Sequence, residues 1–478
     1  MRRVKSEKAE KGEKGMRAGR VSRGVLLAGT GAVLAGAVAL FALEGGLFGR
    51  AGDGYPGASG PAARAVAAAE AGALAAPAEL AALIGDREAW LREHPDDHAS
   101  WAALGAAYTE RGTREGDPAA YPEAEKALRR SLEARPVAKG NVDAALGMSA
   151  LARARGDFRA ARRWAGAAGR LRPEHWRAQA LLVDAYRGLG DQKAAGKSLE
   201  RLRELHTGAA ALTRTAQVYR DKGWREDASA VAYDAVAKAA TRAERTACLS
   251  RLGDLAWERG EPSEALAQYT AALRMTPRHA PSLAGRARAV AALGRTAEAV
   301  RDWASALAVR PDPAYALEAG ELDEAMGRTQ AARERYGTVL DRAGEALTHG
   351  ANPTLAVARY EADHGDPDKA VAWLRGEWKR GHRSADVADA LGWALARSGK
   401  AEEALPYAKK ATGQGRRSAL FLYHRGEIER RLSMPGEARR HLEDALRTNP
   451  HFSPLRAKAA RDALAALEGE QGGAPPKR

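Results

Sequence analysis

A glycine followed five residues later by an alanine recurs along this chain at a nearly constant spacing. Successive alanines of the series, with looser copies at Ala124 and Ala438, are separated by 33 to 38 residues. A period of this length marks a repeat architecture, because each unit must stack on its neighbours to bury its apolar face. The 478-residue chain therefore contains an array of ten copies. The eight clear pairs are Gly156/Ala161, Gly190/Ala195, Gly223/Ala228, Gly260/Ala265, Gly294/Ala299, Gly327/Ala332, Gly365/Ala370 and Gly399/Ala404.

Each copy has the pattern of two helices joined by a short turn. The glycine predicts the end of the first helix, because glycine adopts the left-handed conformation there at the lowest cost. The alanine falls on the second helix, where a small side chain lets the two helices approach closely. An apolar residue follows four positions later on the same helix face. The sequence therefore predicts an all-α fold of stacked helix pairs.

The first helices resemble those of the tetratricopeptide-repeat family. The family pattern W-x-x-L-G-x-x-Y is matched by WAALGAAY at Trp101–Tyr108, with weaker matches at Gln179–Tyr186 and Leu249–Ala256. The resemblance extends over about residues 100–450. It implies a superhelical solenoid of about ten helix-turn-helix repeats with a concave groove that binds a partner protein, without a cofactor.

The N-terminus has the composition of a membrane anchor. Residues 1–23 carry nine Lys and Arg against three Glu, a charge of +6, and Val25–Leu43 contains no charged residue. As a helix these nineteen residues would span about 28 Å, close to the roughly 30 Å of a hydrocarbon core. The basic tail places the N-terminus in the cytoplasm and the array outside the membrane. The alternative is a signal peptide cleaved near Ala37–Ala39, with Met16 as a possible start, which would give a secreted protein.

These observations predict seven segments along the chain. They are a basic cytoplasmic tail (1–23), a transmembrane helix or signal anchor (24–43), a stalk rich in Gly, Ala and Pro (44–78), an N-terminal capping helix (79–99), the repeat array (100–450), a C-terminal capping helix (451–469) and a disordered tail (470–478).

The sequence contains no recognisable catalytic motif, so we predict that the protein is not an enzyme. The single cysteine, Cys248, cannot form an internal disulfide and is expected to be buried. The histidines are scattered, which argues against a metal site. Residues 51–478 hold 66 basic and 57 acidic residues with the two signs interspersed, which makes nucleic-acid binding unlikely. No small-molecule substrate is evident.

The family resemblance implies which side chains face the groove. Family ligands usually contact the second, fifth, ninth, twelfth and thirteenth positions of the unit, and an alternating Arg/Asp surface with Trp257 and Trp393 exposed would suit a peptide. On this register the groove residues are Arg177, Asp184, Arg187, Thr213, Gln217, Arg220, Ser250, Asp254, Trp257, Arg288, Arg359, Asp389, Trp393, Tyr423, Glu427 and Arg430.

The function expected from the sequence is a membrane-tethered, extracytoplasmic scaffold that binds a protein partner through its concave groove. One alternative is an assembly factor for an envelope complex. The stretch HPDDHASWAALGAAY (His94–Tyr108) resembles the entry to membrane-anchored repeat subunits of cytochrome c maturation. The other alternative is a secreted repeat protein.

Overall fold

The computed structural model describes residues 60–471, and within that range every regular element is a helix. Two helices precede the repeats and one follows them: α1 (Gly60–Glu70), α2 (Pro77–Glu93) and α23 (Arg456–Gln471). The first helices of the ten copies are α3 (His98–Glu115), α5 (Val142–Ala154), α7 (Trp176–Leu189), α9 (Ala209–Asp221), α11 (Arg242–Glu258), α13 (Ala280–Ala292), α15 (Pro313–Ala325), α17 (Thr354–His364), α19 (Ala385–Arg397) and α21 (Ala419–Arg431). The second helices are α4 (Ala120–Ala134), α6 (Phe158–Leu171), α8 (Gln192–Leu205), α10 (Arg225–Lys238), α12 (Pro262–Met275), α14 (Thr296–Val309), α16 (Thr329–Thr348), α18 (Pro367–Lys379), α20 (Ala401–Thr412) and α22 (Pro435–Thr448).

The glycine at the end of each first helix has the conformation that its position predicts. Seven of the eight glycines have φ between 72° and 81°, which favours glycine because it has no Cβ. Gly365 is the exception, with φ of −131°. In the tenth copy Ser433 takes the same role at φ of 56°. The eight alanines that follow are at most 3% exposed, as the close helix crossing requires.

The copies stack through aromatic and leucine side chains that fit against helical glycines. Tyr269 is fully buried, and a Cβ on Gly253 or Gly285 would lie 2.7 or 2.2 Å from its ring. Leu128 fills the same space between Gly105 and Gly147 in the earlier copies. Each second helix therefore packs against the first helices on both sides, which confirms the predicted all-α solenoid of helix pairs.

The described part of the predicted stalk (44–78) is largely helical and packed. Residues 60–70 form α1, and Ala65 and Ala68 are buried in one apolar cluster with α2. The following linker also has fixed contacts: the Thr241 hydroxyl donates to the Leu74 carbonyl oxygen at 2.7 Å, and Gly72 packs on the Trp176 indole. Alanine-rich sequence suits a packed helix as well as a spacer.

The predicted transmembrane segment and the basic tail lie outside the described residues. Within residues 60–471, no helix combines the length and the apolar character needed to cross a membrane.

The first five copies contact the last five through a regular set of loops. The turn after the first helix of each copy meets the loop that ends the second helix of the copy five further along. We call this set of contacts the seam. Its pairs are Gly116 with Arg310, Gly156 with Asn352, Gly190 with Arg383, Gly223 with Gly415, and Gly260 with Asn449.

Backbone and amide groups hold the seam together. The Asn352 amide donates to the Arg155 carbonyl oxygen at 3.0 Å, and the Asn449 side-chain amide donates to the Trp257 carbonyl oxygen at 2.7 Å. Gln192 Nε2 donates to the Gln414 carbonyl oxygen at 3.1 Å. One superhelical turn therefore takes about five copies, and successive turns touch. The concave surface formed by the first helices becomes the wall of an axial channel.

Candidate functional site

Two adjoining cavities lie on the concave side of the first helices, with volumes of about 970 Å³ and about 900 Å³. The first is lined mainly by α7, α9 and α11, and by the start of α19 across the seam. The second is lined by α13, α15, α17 and α19, and by the segment that leads into α23. Trp257, Glu258, Arg288, Asp386 and Arg416 line both cavities, so the two form one continuous channel.

Most of the predicted groove residues lie in this channel. Eight of them line the first cavity, and Arg359, Trp393 and Asp389 line the second, together with Trp257 and Arg288. The eight are Asp184, Arg187, Thr213, Gln217, Arg220, Asp254, Trp257 and Arg288.

The channel arginines are already paired with carboxylates of the same chain. Arg187 Nε lies 2.7 Å from Asp221 Oδ2, and Arg288 forms a two-pronged contact with Glu318. Arg214, a lining residue absent from the predicted set, pairs with Asp184 at 2.9 Å. A partner carboxylate would have to compete with these internal pairs, so the arginines offer less binding energy than the sequence suggested.

A chain of ion pairs crosses the seam at the centre of the channel. Arg220 Nε donates to Glu258 Oε2 at 2.7 Å within the first turn of the superhelix. Arg416, from the second turn, contacts Glu258 at 3.4 Å and Asp386 at 2.9 Å. Arg359 contacts the other oxygen of Asp386 at 3.5 Å. Charged groups from both turns therefore share one network.

The carboxylates of this network are strongly held in the charged form. Burial alone would raise the pKa of Glu258, but the charges of Arg220 and Arg416 and the Arg220 hydrogen bond hold the pKa at about 2. Burial also opposes ionisation of Asp386, and Arg416, Arg359 and Arg220 outweigh it and keep the Asp386 pKa well below its usual range. The network stays ionised at any physiological pH.

Trp257 lies where the two cavities adjoin. Its side chain is half-buried and packs beside the apolar cluster of Ala256, Ala265 and Tyr269. Its backbone is fixed by the hydrogen bond from Asn449 across the seam. An indole in this position gives the channel an apolar surface between charged groups that are already paired.

Trp393 and Tyr423 are core residues, contrary to the expectation that Trp393 is exposed. Trp393 is 3% exposed, stacks on His424 with ring centroids 4.2 Å apart, and donates Nε1–H to Asp363 at 2.9 Å. Tyr423 is 4% exposed and lies against Trp393 and Phe452. The tenth copy covers most of the ninth-position side chain of copy nine, so Trp393 reaches the second cavity with only a small part of its surface.

Arg177 and Arg430 do not line either cavity within the described chain. Arg177 is half-buried near Asp143 and Glu70, and its desolvation lowers its pKa to about 10 against the attraction of those two carboxylates. Burial raises the pKa of Asp143 to about 6. Arg430 pairs with Glu427 on its own helix at 2.9 Å. The linker after α1 packs against the start of α7, where Gly72 lies on the Trp176 indole.

The groove residues predicted from the sequence do not include Glu258, Asp386 and Arg416, which form the centre of the network. Glu258 and Asp386 occupy the thirteenth and second positions of their units, so the family register could have included them. Arg416 lies in the loop before α21, and no local pattern marks it. Only the superhelical contact brings it to Glu258.

The described residues contain no group of three or more His, Cys, Asp or Glu placed to hold a metal ion. Cys248 is buried and faces Thr213, with its sulfur 3.7 Å from the hydroxyl oxygen. Burial raises the pKa of its thiol, which keeps the thiol protonated.

Comparison with known proteins identifies the repeat. The family model described as tetratricopeptide repeat matches residues 250–316 and 390–451, which lie in copies five to six and nine to ten. No curated protein matches the chain significantly.

Several solved structures are similar to the chain. A tetratricopeptide-repeat protein from Parabacteroides merdae has 19% identity over 54% of this chain and 98% of its own, with a TM-score of 0.32. Yeast Tom70 has 14% identity over 77% of this chain and 88% of its own, with a TM-score of 0.34. The human IFIT1 dimer with PPP-AAAA has 16% identity over 66% of this chain and 72% of its own, with a TM-score of 0.43.

Proposed function

We propose that this chain, in which copies five to six and nine to ten match the tetratricopeptide-repeat model, is a scaffold that binds an extended segment of a partner protein in the axial channel. Proteins of this family are generally interaction scaffolds rather than enzymes. The observation that carries the proposal is the placement of Trp257, half-buried at the junction of two cavities of about 970 and 900 Å³. Aromatic side chains in such positions supply most of the binding energy at protein interfaces.

The seam limits the shape of the partner segment. The five seam contacts join the two superhelical turns along the channel wall, which favours an extended segment over a folded domain. An extended segment entering along the axis would contact first helices from both turns. Since the lining arginines are paired internally, apolar contact with Trp257 should contribute more than charge does.

The membrane tether belongs to this proposal as well. Residues 24–43 would anchor the protein, with residues 1–23 in the cytoplasm and the array outside, and the support for this is the +6 tail next to an uncharged segment. Protease added to intact cells after wall removal should digest the array and spare the tail. Full protection of the array would contradict this topology. Release of the array into the medium would favour the secreted alternative.

A role as an assembly factor, for example in cytochrome c maturation, is the second candidate. It shares the tether and the channel and differs only in the partner. Its support is the resemblance at His94–Tyr108. Identification of the captured partner distinguishes it from a general scaffold.

The test places a photo-crosslinking amino acid at position 257 and recovers the partner from membranes. With that partner, Trp257→Ala should weaken binding by about 2 kcal/mol, roughly 30-fold, and leave the melting temperature nearly unchanged. Trp393→Ala is the matched control, because the loss of this buried indole should lower the melting temperature sharply. Unchanged binding by a folded Trp257→Ala variant would contradict the proposal.

A further inference from the structure

The second superhelical turn has an edge that repeats the covered edge of the first turn but has nothing packed on it. Gly294, Gly327 and Gly399 end first helices with φ of 79°, 72° and 80°, like Gly190 and Gly223 in the seam. Within the described chain, no other segment comes within 4 Å of the position that a Cβ would take on any of these three glycines. We call this edge, formed by the turns at 293–294, 326–327 and 398–399, the open edge.

Apolar side chains mark the open edge. Leu293 and Met326 directly precede Gly294 and Gly327, and they are 38% and 39% exposed. Leu189 holds the equivalent position in copy three, within the first superhelical turn. There the chain is covered, and the Leu189 carbonyl oxygen accepts a hydrogen bond from the Arg383 amide at 3.3 Å. The backbone at this position is therefore in contact with protein in the first superhelical turn, whereas Leu293 and Met326 are exposed in the second.

Part of the surface that covers the first turn is also present a second time on the molecule. In the seam, Arg310 packs its aliphatic stem on Gly116, and Asn449–Pro450 packs on Gly260. Both belong to loops in which a proline ends the second helix. The first five copies carry such loops at Arg135–Pro136, Arg172–Pro173 and Thr276–Pro277, and all three prolines are exposed.

Charge does not oppose this contact strongly. The cations next to the open edge have carboxylates of their own: Arg295 pairs with Glu298, Arg328 with Asp323 and Lys400 with Asp368. The linker at Leu74 already covers the equivalent loop at Thr241. The three proline loops are therefore the loops of the first five copies that remain exposed and could pack on the open edge.

We propose that the open edge binds the proline loops of a second copy of this chain, head to tail, and so repeats the seam between molecules. Loops of the kind that cover equivalent turns within one molecule are exposed on every copy of the chain as the three proline loops. The two contacting surfaces differ, so the contact is heterologous and does not close on itself. Association should continue beyond the dimer and rise with concentration. This inference does not depend on the partner that occupies the channel.

The test is analytical ultracentrifugation of the full chain, kept in detergent so that residues 25–43 do not drive association. The mass of the assembly should rise above the 50.7 kDa of one chain as concentration increases, without a plateau at the dimer. L293E/M326E, which blocks the open edge, and R135E/R172E, which removes two proline-loop arginine stems, should each stay at the mass of one chain.

The decisive measurement mixes the two blocked variants. Each retains the surface that the other has lost, so a 1:1 mixture should form a dimer and nothing larger. L340E/L347E on α16 is the control, since these leucines are at least as exposed but lie away from the edge, and it should associate like the unmodified chain. A chain that stays monomeric at every concentration would overturn the proposal. So would association of L293E/M326E alone, or a mixture that remains monomeric.

Discussion

Gly190 and Gly294 occupy the same position in their repeats and have nearly the same backbone conformation, with φ of 75° and 79°. Their surroundings differ. A Cβ on Gly190 would lie 2.2 Å from the Arg383 carbonyl oxygen across the seam, whereas Gly294 faces open space in the described chain. Local turn geometry explains both glycines, and the long-range contact adds a second requirement at Gly190 alone. A repeat motif therefore predicts the local turn conformation but not the contacts between superhelical turns.

The largest expected difference between the seam and the open edge is the loss of unfolding free energy when a methyl group is added to the glycine of the turn. Gly190→Ala should lower the free energy of unfolding by about 3 kcal/mol, because left-handed strain adds to a clash with backbone that cannot move aside. Gly294→Ala should cost about 1 kcal/mol, from the strain alone. Urea denaturation of both variants measures the contrast. Equal costs would show that the seam does not form.

A smaller effect is expected from the ion pairs of the seam. Glu258→Gln should cost about 2 kcal/mol, because Arg220 and Arg416 lose their shared carboxylate, although the 26% exposure of Glu258 softens the loss. Glu318→Gln removes the partner of Arg288 within one turn and at a more exposed site, and should cost less than about 1 kcal/mol. If the two changes lower the urea midpoint equally, the network across the seam stabilises the fold no more than an ion pair within one turn.

Acid should weaken the seam through the same carboxylate. The pKa of Glu258 is about 2 in the folded chain and about 4.3 when unfolded, so its contribution is present above pH about 4 and is lost as the pH falls toward 2. The urea midpoint should therefore drop more from pH 5 to pH 3 in the unmodified chain than in the Glu258→Gln variant. An identical drop would mean that other carboxylates account for the whole acid response.

The smallest effect is predicted at the tenth copy, where Ser433 holds the left-handed position that glycine occupies elsewhere. Ser433→Gly should stabilise the chain by about 0.5 kcal/mol, since relief of backbone strain exceeds the added entropy of the unfolded glycine. The reverse change, Gly399→Ser, should destabilise by about 1 kcal/mol. A thermal melt that orders these two variants the other way would contradict the turn geometry.

The sequence predicted what repeats locally and missed what depends on the superhelix. The glycine and alanine spacing determined the helix pairs, and the family register placed Trp257 and Arg220 on the channel wall. The exposure expected for Trp393 was wrong, because its burial depends on Tyr423 and His424 in the next copy. The contact between Glu258 and Arg416 could not be foreseen, because the number of copies per turn results from small rotations added over five repeats.

The most direct test of the seam is a cysteine crosslink between Gln192 and Gln414, which touch across it although 222 residues separate them. In a Cys248→Ala background, Q192C/Q414C should form an intramolecular crosslink rapidly with mild oxidant or a short bismaleimide. T296C/Q414C is the matched control, because Thr296 begins its second helix as Gln192 does but lies in the other superhelical turn. The account predicts efficient crosslinking of the first pair and none of the second. If Q192C/Q414C remains uncrosslinked in the folded chain, the two turns do not touch and the groove is open.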